Sequence, residues 1–403
     1  MVPTRNRADL AVNAIKSVLG QEDCAADIVV SDNSTDGGEV EKLAEFCRGL
    51  GRPEVRYIRP DEPLPMSEHW RWALDRTLEL SDADHIIYLT DRMVFVPTAL
   101  RDITAIIDLY REKVITYSWD LIRDTEMPCT SFQVIRTGKV FEVESRDLMD
   151  RAAESMFNFS LPRMLNSCCT RKTVERIKKR FGPLFFSDNP DFNFAYTCLE
   201  VEDSVIYYDY PLLISYGLGV SNGTTFNRGL FNKSSTTKDF IETTKFDGIN
   251  DLVSKLPLST TKHIAFEYAL IRKGSDNKNL KELDEGRLLR RVLALVIFYE
   301  DKAEKRKAFR EIYAIDKVKF PAHIARAYFS AYKERGMNKL KSKLGSHDAF
   351  DIMKRHETLE DAMSEIINTP RPPTSGRAFF EARMGRFPRE VKVEFKSPGT
   401  ASK

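Results

Sequence analysis

Three clusters of polar residues in the first hundred positions have side chains that could bind a phosphorylated ligand. Asp91 closes an apolar, β-prone run, Ile86-Ile87-Tyr88-Leu89, and is followed by Arg92 and a second apolar run from Met93 to Val96. Asp32 closes the run Asp27–Ser31 and opens the loop Asp32-Asn33-Ser34-Thr35-Asp36-Gly37-Gly38. Pro3-Thr4-Arg5-Asn6-Arg7 forms a turn-like opening. Carboxylates at strand ends can take hydrogens from a base or sugar, or hold a cation against phosphate, and guanidinium groups bind phosphate as fixed charges. Further along, Asp188-Asn189-Pro190-Asp191 sets two more carboxylates just before an expected helix.

These clusters need elements to position them. Ala8–Leu19 reads as a helix with Leu10, Ala14, Ile15, Val18 and Leu19 on one side. A helix over Val40–Leu50, a strand over Val55–Ile58 and a Ser67-capped helix to about Leu80 follow. Strands alternating with helices of this kind predict a mostly parallel sheet covered on both faces. The loops after successive parallel strands share one edge, which is where open α/β folds bind ligands, so PTRNR, SDNSTDGG and TDRM converge on one nucleotide site. Neither the phosphate-loop signature nor G-x-G-x-x-G is present, which disfavours nucleoside triphosphatases and dinucleotide-dependent dehydrogenases.

The set MVPTRNR, its spacing to Ser17-Val18-Leu19-Gly20-Gln21, and IVVSDNSTD resembles the opening of family 2 glycosyltransferases of the GT-A fold. MSEHWRWAL, residues 66–74, is similar to the helix before that family's metal-binding strand. The resemblance covers roughly the first 225 residues. It implies a Rossmann-like, mixed but mostly parallel sheet flanked by helices, and transfer of a sugar from a nucleotide-diphosphate donor, UDP-type by expectation, to a saccharide or lipid-linked acceptor, as in surface polysaccharide or glycan assembly. It also implies an apolar strand before P-T-x-N-R, of which Met1 and Val2 remain, so translation is expected to start upstream of Met1.

Roles follow from that resemblance. Asp32 would hold the base or ribose, with Asp36 nearby, although Asp32 and Thr35 also suit capping of the next helix. Pro3, Thr4, Arg5 and Arg7 would contact the same nucleotide. Family members carry D-x-D or D-D-x where this chain has Asp91-Arg92-Met93. Asp91 would therefore be the single carboxylate for magnesium or manganese, and Arg92 the alternative, a fixed cation against the phosphates. Asp191 is the expected general base and Asp188 its competitor. One base without an opposing nucleophile implies direct displacement with inversion.

The 403 residues suit two domains. Residues 1–225 form the expected transferase domain, 226–262 a linker, 263–369 an all-helical C-terminal domain and 370–403 a basic, partly disordered tail. Helices are expected over Pro97–Glu112, Arg146–Met156, Thr173–Arg180 and Ala349–Ile367, among others, and two separate strands over Ser204–Tyr208 and Pro211–Ser215. Lysine plus arginine (62) nearly balances aspartate plus glutamate (60), which gives no electrostatic case for nucleic acid. Six cysteines without a C-x-x-C pair read as free thiols of a reducing cytoplasm. His69, His85 and Trp72 read as structural. The basic segment Lys302, Lys305, Arg306, Lys307 and Arg310 suits a solvated helix face, or peripheral contact with the inner face of a membrane. Two other functions remain open: a degenerate nucleotide-sugar-binding protein without turnover, and a nucleotidyltransferase.

Overall fold

In the computed structural model the described residues are 1–22, 26–134, 136–156, 160–231, 248–277, 279–318, 320–329, 351–369 and 389–395. Strand β1 (Val2–Thr4) pairs in parallel with β2 (Ile28–Asp32), and β2 with β3 (Val55–Ile58). Helices α1 (Ala8–Leu19) and α2 (Gly37–Gly49) cross between these strands. On α1 the buried side chains are Ala8, Ala11, Ala14 and Ile15, and the three alanines let the helix approach closely. Next come α3 (Met66–Leu80), β4 (His85–Ile87), β5 (Met93–Phe95) and α4 (Ala99–Leu109). The Leu89 amide donates to the Met1 carbonyl at 2.9 Å, which joins the end of β4 to the start of β1.

The larger sheet contains β6 (Ile115–Arg123), β7 (Cys129–Val134), β8 (Val140–Glu144), β9 (Ser167–Thr170) and β10 (Ser204–Ser215). Helices α5 (Ser145–Ala153), α6 (Arg171–Phe181) and α7 (Pro190–Val201) pack among them. Here only β6 and β10 pair in parallel; β10 runs antiparallel to β5 and β8, and β6 to β7 and β9. The expected parallel order therefore holds in the first half, and antiparallel pairing takes over in the second. The sheet is mixed and flanked by helices, the Rossmann-like GT-A arrangement.

The two runs expected at 204–208 and 211–215 are one strand, with register shifts between Tyr208 and Pro211 and between Pro211 and Leu213. Pro211 has no amide hydrogen to give the ladder, and Asp209 turns into the core instead. There its Oδ2 accepts from the Thr137 amide and hydroxyl, and its Oδ1 lies 3.6 Å from Arg136 Nε.

After β10 come α8 (Asn222–Arg228) and further helices over Asp251–Lys255, Thr260–Gly274, Glu285–Val296 and Lys302–Ile315. Part of the expected linker is thus helical, and 232–247 lies outside the described residues. The helix expected over 349–367 is corrected. Residues Asp351–His356 form strand β11, antiparallel to β7, and the helix begins only at Leu359, where Thr358 Oγ1 accepts from the Asp361 amide. Edge pairing overrides the local helical pattern, and the threonine cap marks the true start. Arg389–Val391, in the expected tail, forms β12 against β8, while 370–388 and 396–403 lie outside the described residues. Among the described residues no helix is long and apolar enough to cross a membrane.

Candidate active site

Parallel pairing sets Thr4 opposite Asp32 at the carboxyl ends of β1 and β2. The turn after β4 brings Asp91 to the same place. Thr4 Oγ1 donates to Asp91 Oδ2 at 2.9 Å, and Arg7 Nε lies 3.1 Å from that same oxygen. Asp91 is buried and the Arg7 side chain is 30 % exposed, so the pair presents a guanidinium outward from a carboxylate base. Burial raises the Asp91 pKa, opposed by Arg7, Arg92 and the Thr4 hydroxyl. Arg92 is itself largely enclosed, which lowers its pKa, with Asp91 pulling it back up.

Asn6 builds the floor of the two loops. Its backbone sits in the left-handed region (φ 54), which asparagine tolerates better than most residues. Its Oδ1 accepts from the amides of Thr35 (2.8 Å) and Asp36 (3.0 Å), and its own amide donates to Ser34 Oγ at 2.7 Å. The Asn33 amide donates to the Thr4 carbonyl at 2.9 Å. Asp36 Oδ1 caps α2 by accepting from Gly38 and Glu39 amides, so the structure gives it the capping geometry.

Asp32 is fully enclosed. Its Oδ1 accepts from the Ser34 amide at 2.9 Å and its Oδ2 from the Tyr57 hydroxyl at 2.7 Å. Behind it, Ser31 Oγ bonds His69 Nε2 at 2.8 Å, and burial lowers the His69 pKa to about 4, leaving a neutral ring at pH 7. The loop before α3 continues the wall: the Leu64 carbonyl accepts from Asn33 Nδ2 at 2.8 Å and from Arg5 Nη1 at 3.3 Å. Pro3 lies within β1 opposite Ser31.

The turn at Gly217 completes the enclosure of Arg92. Gly217 has φ 66, and a Cβ there would sit 3.2 Å from Arg92 Cγ, so both backbone and space call for glycine. Asp124 fixes this turn by accepting the Gly217 amide at 2.7 Å and the Leu218 amide at 2.9 Å, and its charge also faces Arg92.

Asp188 and Asp191 stand in a second group. Asp191 is in the first turn of α7, with Oδ1 accepting from the Phe192 amide at 2.9 Å. Burial raises its pKa, and the nearby Arg163 opposes that shift. The Arg163 guanidinium lies over Trp119 at 4.5 Å and over Phe192 at 5.4 Å. Ser67 Oγ at the start of α3 donates to the Ser187 carbonyl at 2.5 Å, so α3 and the loop before it join the second group to the first.

Among the described residues no group of three His, Cys, Asp or Glu side chains is placed to hold a metal ion. Asp91 offers one carboxylate, and a hydroxyl and a guanidinium already share its Oδ2. That donor set does not fit a protein-held divalent ion; it fits fixed cations, Arg7 and Arg92, set against an anion.

Sequence reasoning found Thr4, Arg7, Asp32, Asp91 and Arg92, which the structure brings together, and it missed Tyr57, Asp124, Arg163 and Glu267. No motif marks the first three. Glu267 had a signal: it is a lone acid within His263-Ile-Ala-Phe-Glu-Tyr-Ala-Leu-Ile271.

Residues 1–156 match the family described as Glycosyl transferase family 2. Among solved structures, the chain is similar to S. aureus TarS 1-349 in complex with UDP-GlcNAc, at 12% identity and a TM-score of 0.42, covering 89% of this chain and 96% of that one. TarS 1-349 in complex with UDP matches at 14% identity and a TM-score of 0.40 over the same shares of each chain. A longer S. aureus TarS structure matches at 13% identity and a TM-score of 0.38, covering 82% of this chain and 54% of that one.

Proposed function

We infer, from a chain whose residues 1–156 are a family 2 glycosyltransferase domain, that this enzyme moves a sugar from a nucleotide-diphosphate donor to a saccharide or lipid-linked acceptor with inversion at the anomeric carbon. The observation that carries this reading is the Asp91 carboxylate shared by Thr4 and Arg7 with Arg92 beside it, at the strand edge where Asp32 also ends. Such an edge suits a nucleotide, and two guanidiniums suit a leaving diphosphate.

In this reading Arg7 and Arg92 neutralise the diphosphate as the bond to the sugar breaks, and Asp91 keeps both cations in place. A base or ribose reaching Asp32 takes the position of the Tyr57 hydroxyl on Oδ2. Asp191 removes the acceptor proton as the acceptor oxygen attacks. UDP is the nucleotide expected from the family 2 resemblance of residues 1–156.

The test is release of UDP from a panel of UDP-sugars, with manganese and with EDTA. Turnover that persists in EDTA is expected. Arg7→Ala should lower kcat/KM about 10- to 100-fold, the loss of a charge-assisted contact worth ~1.5–3 kcal/mol. Turnover abolished by EDTA overturns the fixed-cation assignment. Donor binding without turnover under every condition points instead to a binding protein that kept the pocket.

A further inference from the structure

The helix Thr260–Gly274 packs against α7, and its Glu267 is 1% exposed. Glu267 Oε2 accepts from Ser187 Oγ at 2.8 Å and from Asn193 Nδ2 at 3.2 Å. Those donors bracket Asp188 and Asp191 in the chain. On its other side the Ser187 carbonyl is held by Ser67 of α3. The short segment that carries both candidate bases is therefore gripped from two elements outside it, one of them far along the chain.

Among the described residues the donors to this deeply buried carboxylate are a hydroxyl and a side-chain amide, neither of them charged, and burying it is costly unless it is protonated or well bonded. Burial pushes the Glu267 pKa up to about 8, against the hydrogen bonds from Ser187 and Asn193. The charged and titratable groups facing it are Asp188, before α7, and Asp191 and Tyr196, on α7. The two aspartates add like charge, so a neutral Glu267 leaves the negative charge of this group to the aspartates at pH 7.

We propose that Glu267 is a positioning residue, holding the Ser187–Asn193 segment from the C-terminal helix so that Asp191 faces the acceptor hydroxyl. The proposal rests on the base role given to Asp191 above. Its consequence is that residues outside the matched family region set the geometry of the proton transfer.

Two measurements on the full chain decide it: hydrogen–deuterium exchange and steady-state release of UDP from UDP-N-acetylglucosamine. Glu267→Ala should speed exchange of the amides around 187–193 about tenfold while those of β1 and α1 stay unchanged. The same variant should lower kcat about tenfold or more with the donor KM within about twofold. Glu267→Gln keeps an oxygen for both donors, so its rate at pH 7 should stay within about threefold of the parent. Unchanged exchange in Glu267→Ala overturns the clamp, and faster exchange with unchanged kcat overturns the positioning role. If Glu267→Ala does not fold, Ser187→Ala, which removes one donor, carries both measurements with the same expectations. Full transfer by Asp191→Asn would remove the base assignment and leave the exchange result to judge the clamp alone.

Discussion

Asp191 has two opposed influences on its proton. Burial holds its pKa above the usual carboxylate value, and Arg163 pulls it down. A base works only when ionised, so a raised pKa places the acid limb of kcat higher than for an exposed aspartate, with activity lost as pH falls through it. Arg163→Met removes the opposing cation and should move that limb further toward neutral pH, read from the pH dependence of kcat. Asp191→Asn should lower kcat about 10²- to 10⁴-fold with donor affinity unchanged. If Asp188→Asn does so instead, the two acids exchange roles. At this scale the sequence offers a candidate where a residue sits in a short motif, as the proposed base Asp191 does in NPDF. Arg163 was not legible, because its partners Trp119 and Phe192 lie in other elements and only the fold makes them neighbours.

The two loops that form the nucleotide edge depend on Asn6 as an element-level joint. Replacing it with alanine removes two amide acceptor contacts, each worth roughly 0.5–1.5 kcal/mol, and places a Cβ residue in the left-handed region at about 1 kcal/mol more. Asn6→Gly removes the same contacts without the backbone strain. Thermal or urea unfolding should therefore rank Asn6→Ala below Asn6→Gly by about 1 kcal/mol, with both below the parent. Donor KM should rise in both variants, since the loops separate in each. Equal stability of the two variants would show that the backbone at Asn6 carries no strain. The elements around this joint, from α1 to β5, were readable because their apolar runs have clean periods and their loops carry turn residues. The edge strand β11 was not: Asp351–His356 has no strand-like alternation, and its identity comes from pairing with β7 more than two hundred residues earlier in the chain.

Over the whole molecule, the transferase half and the C-terminal helices share apolar surface. Ile264, Tyr268 and Ile271 of the helix Thr260–Gly274 belong to the same buried cluster as Phe194, Tyr196 and Cys198 of α7, and the Tyr196 and Tyr268 rings meet edge to face at 5.7 Å. Burying three such side chains contributes roughly 5–9 kcal/mol, comparable to the 5–15 kcal/mol by which a whole domain is stable. A fragment ending at residue 225 would expose their partners on α7 and lose Glu267 and strands β11 and β12 as well. We therefore expect residues 1–225 not to fold alone. In the full chain the three tryptophans, Trp70, Trp72 and Trp119, all report on the transferase half, whereas far-UV circular dichroism also follows the C-terminal helices. Tryptophan fluorescence and circular dichroism should melt at one temperature in the full chain, because the shared cluster couples the two halves. Two separated transitions, or a 1–225 fragment that melts cooperatively near the parent temperature, would show that the shared cluster is a docking contact between independently stable units.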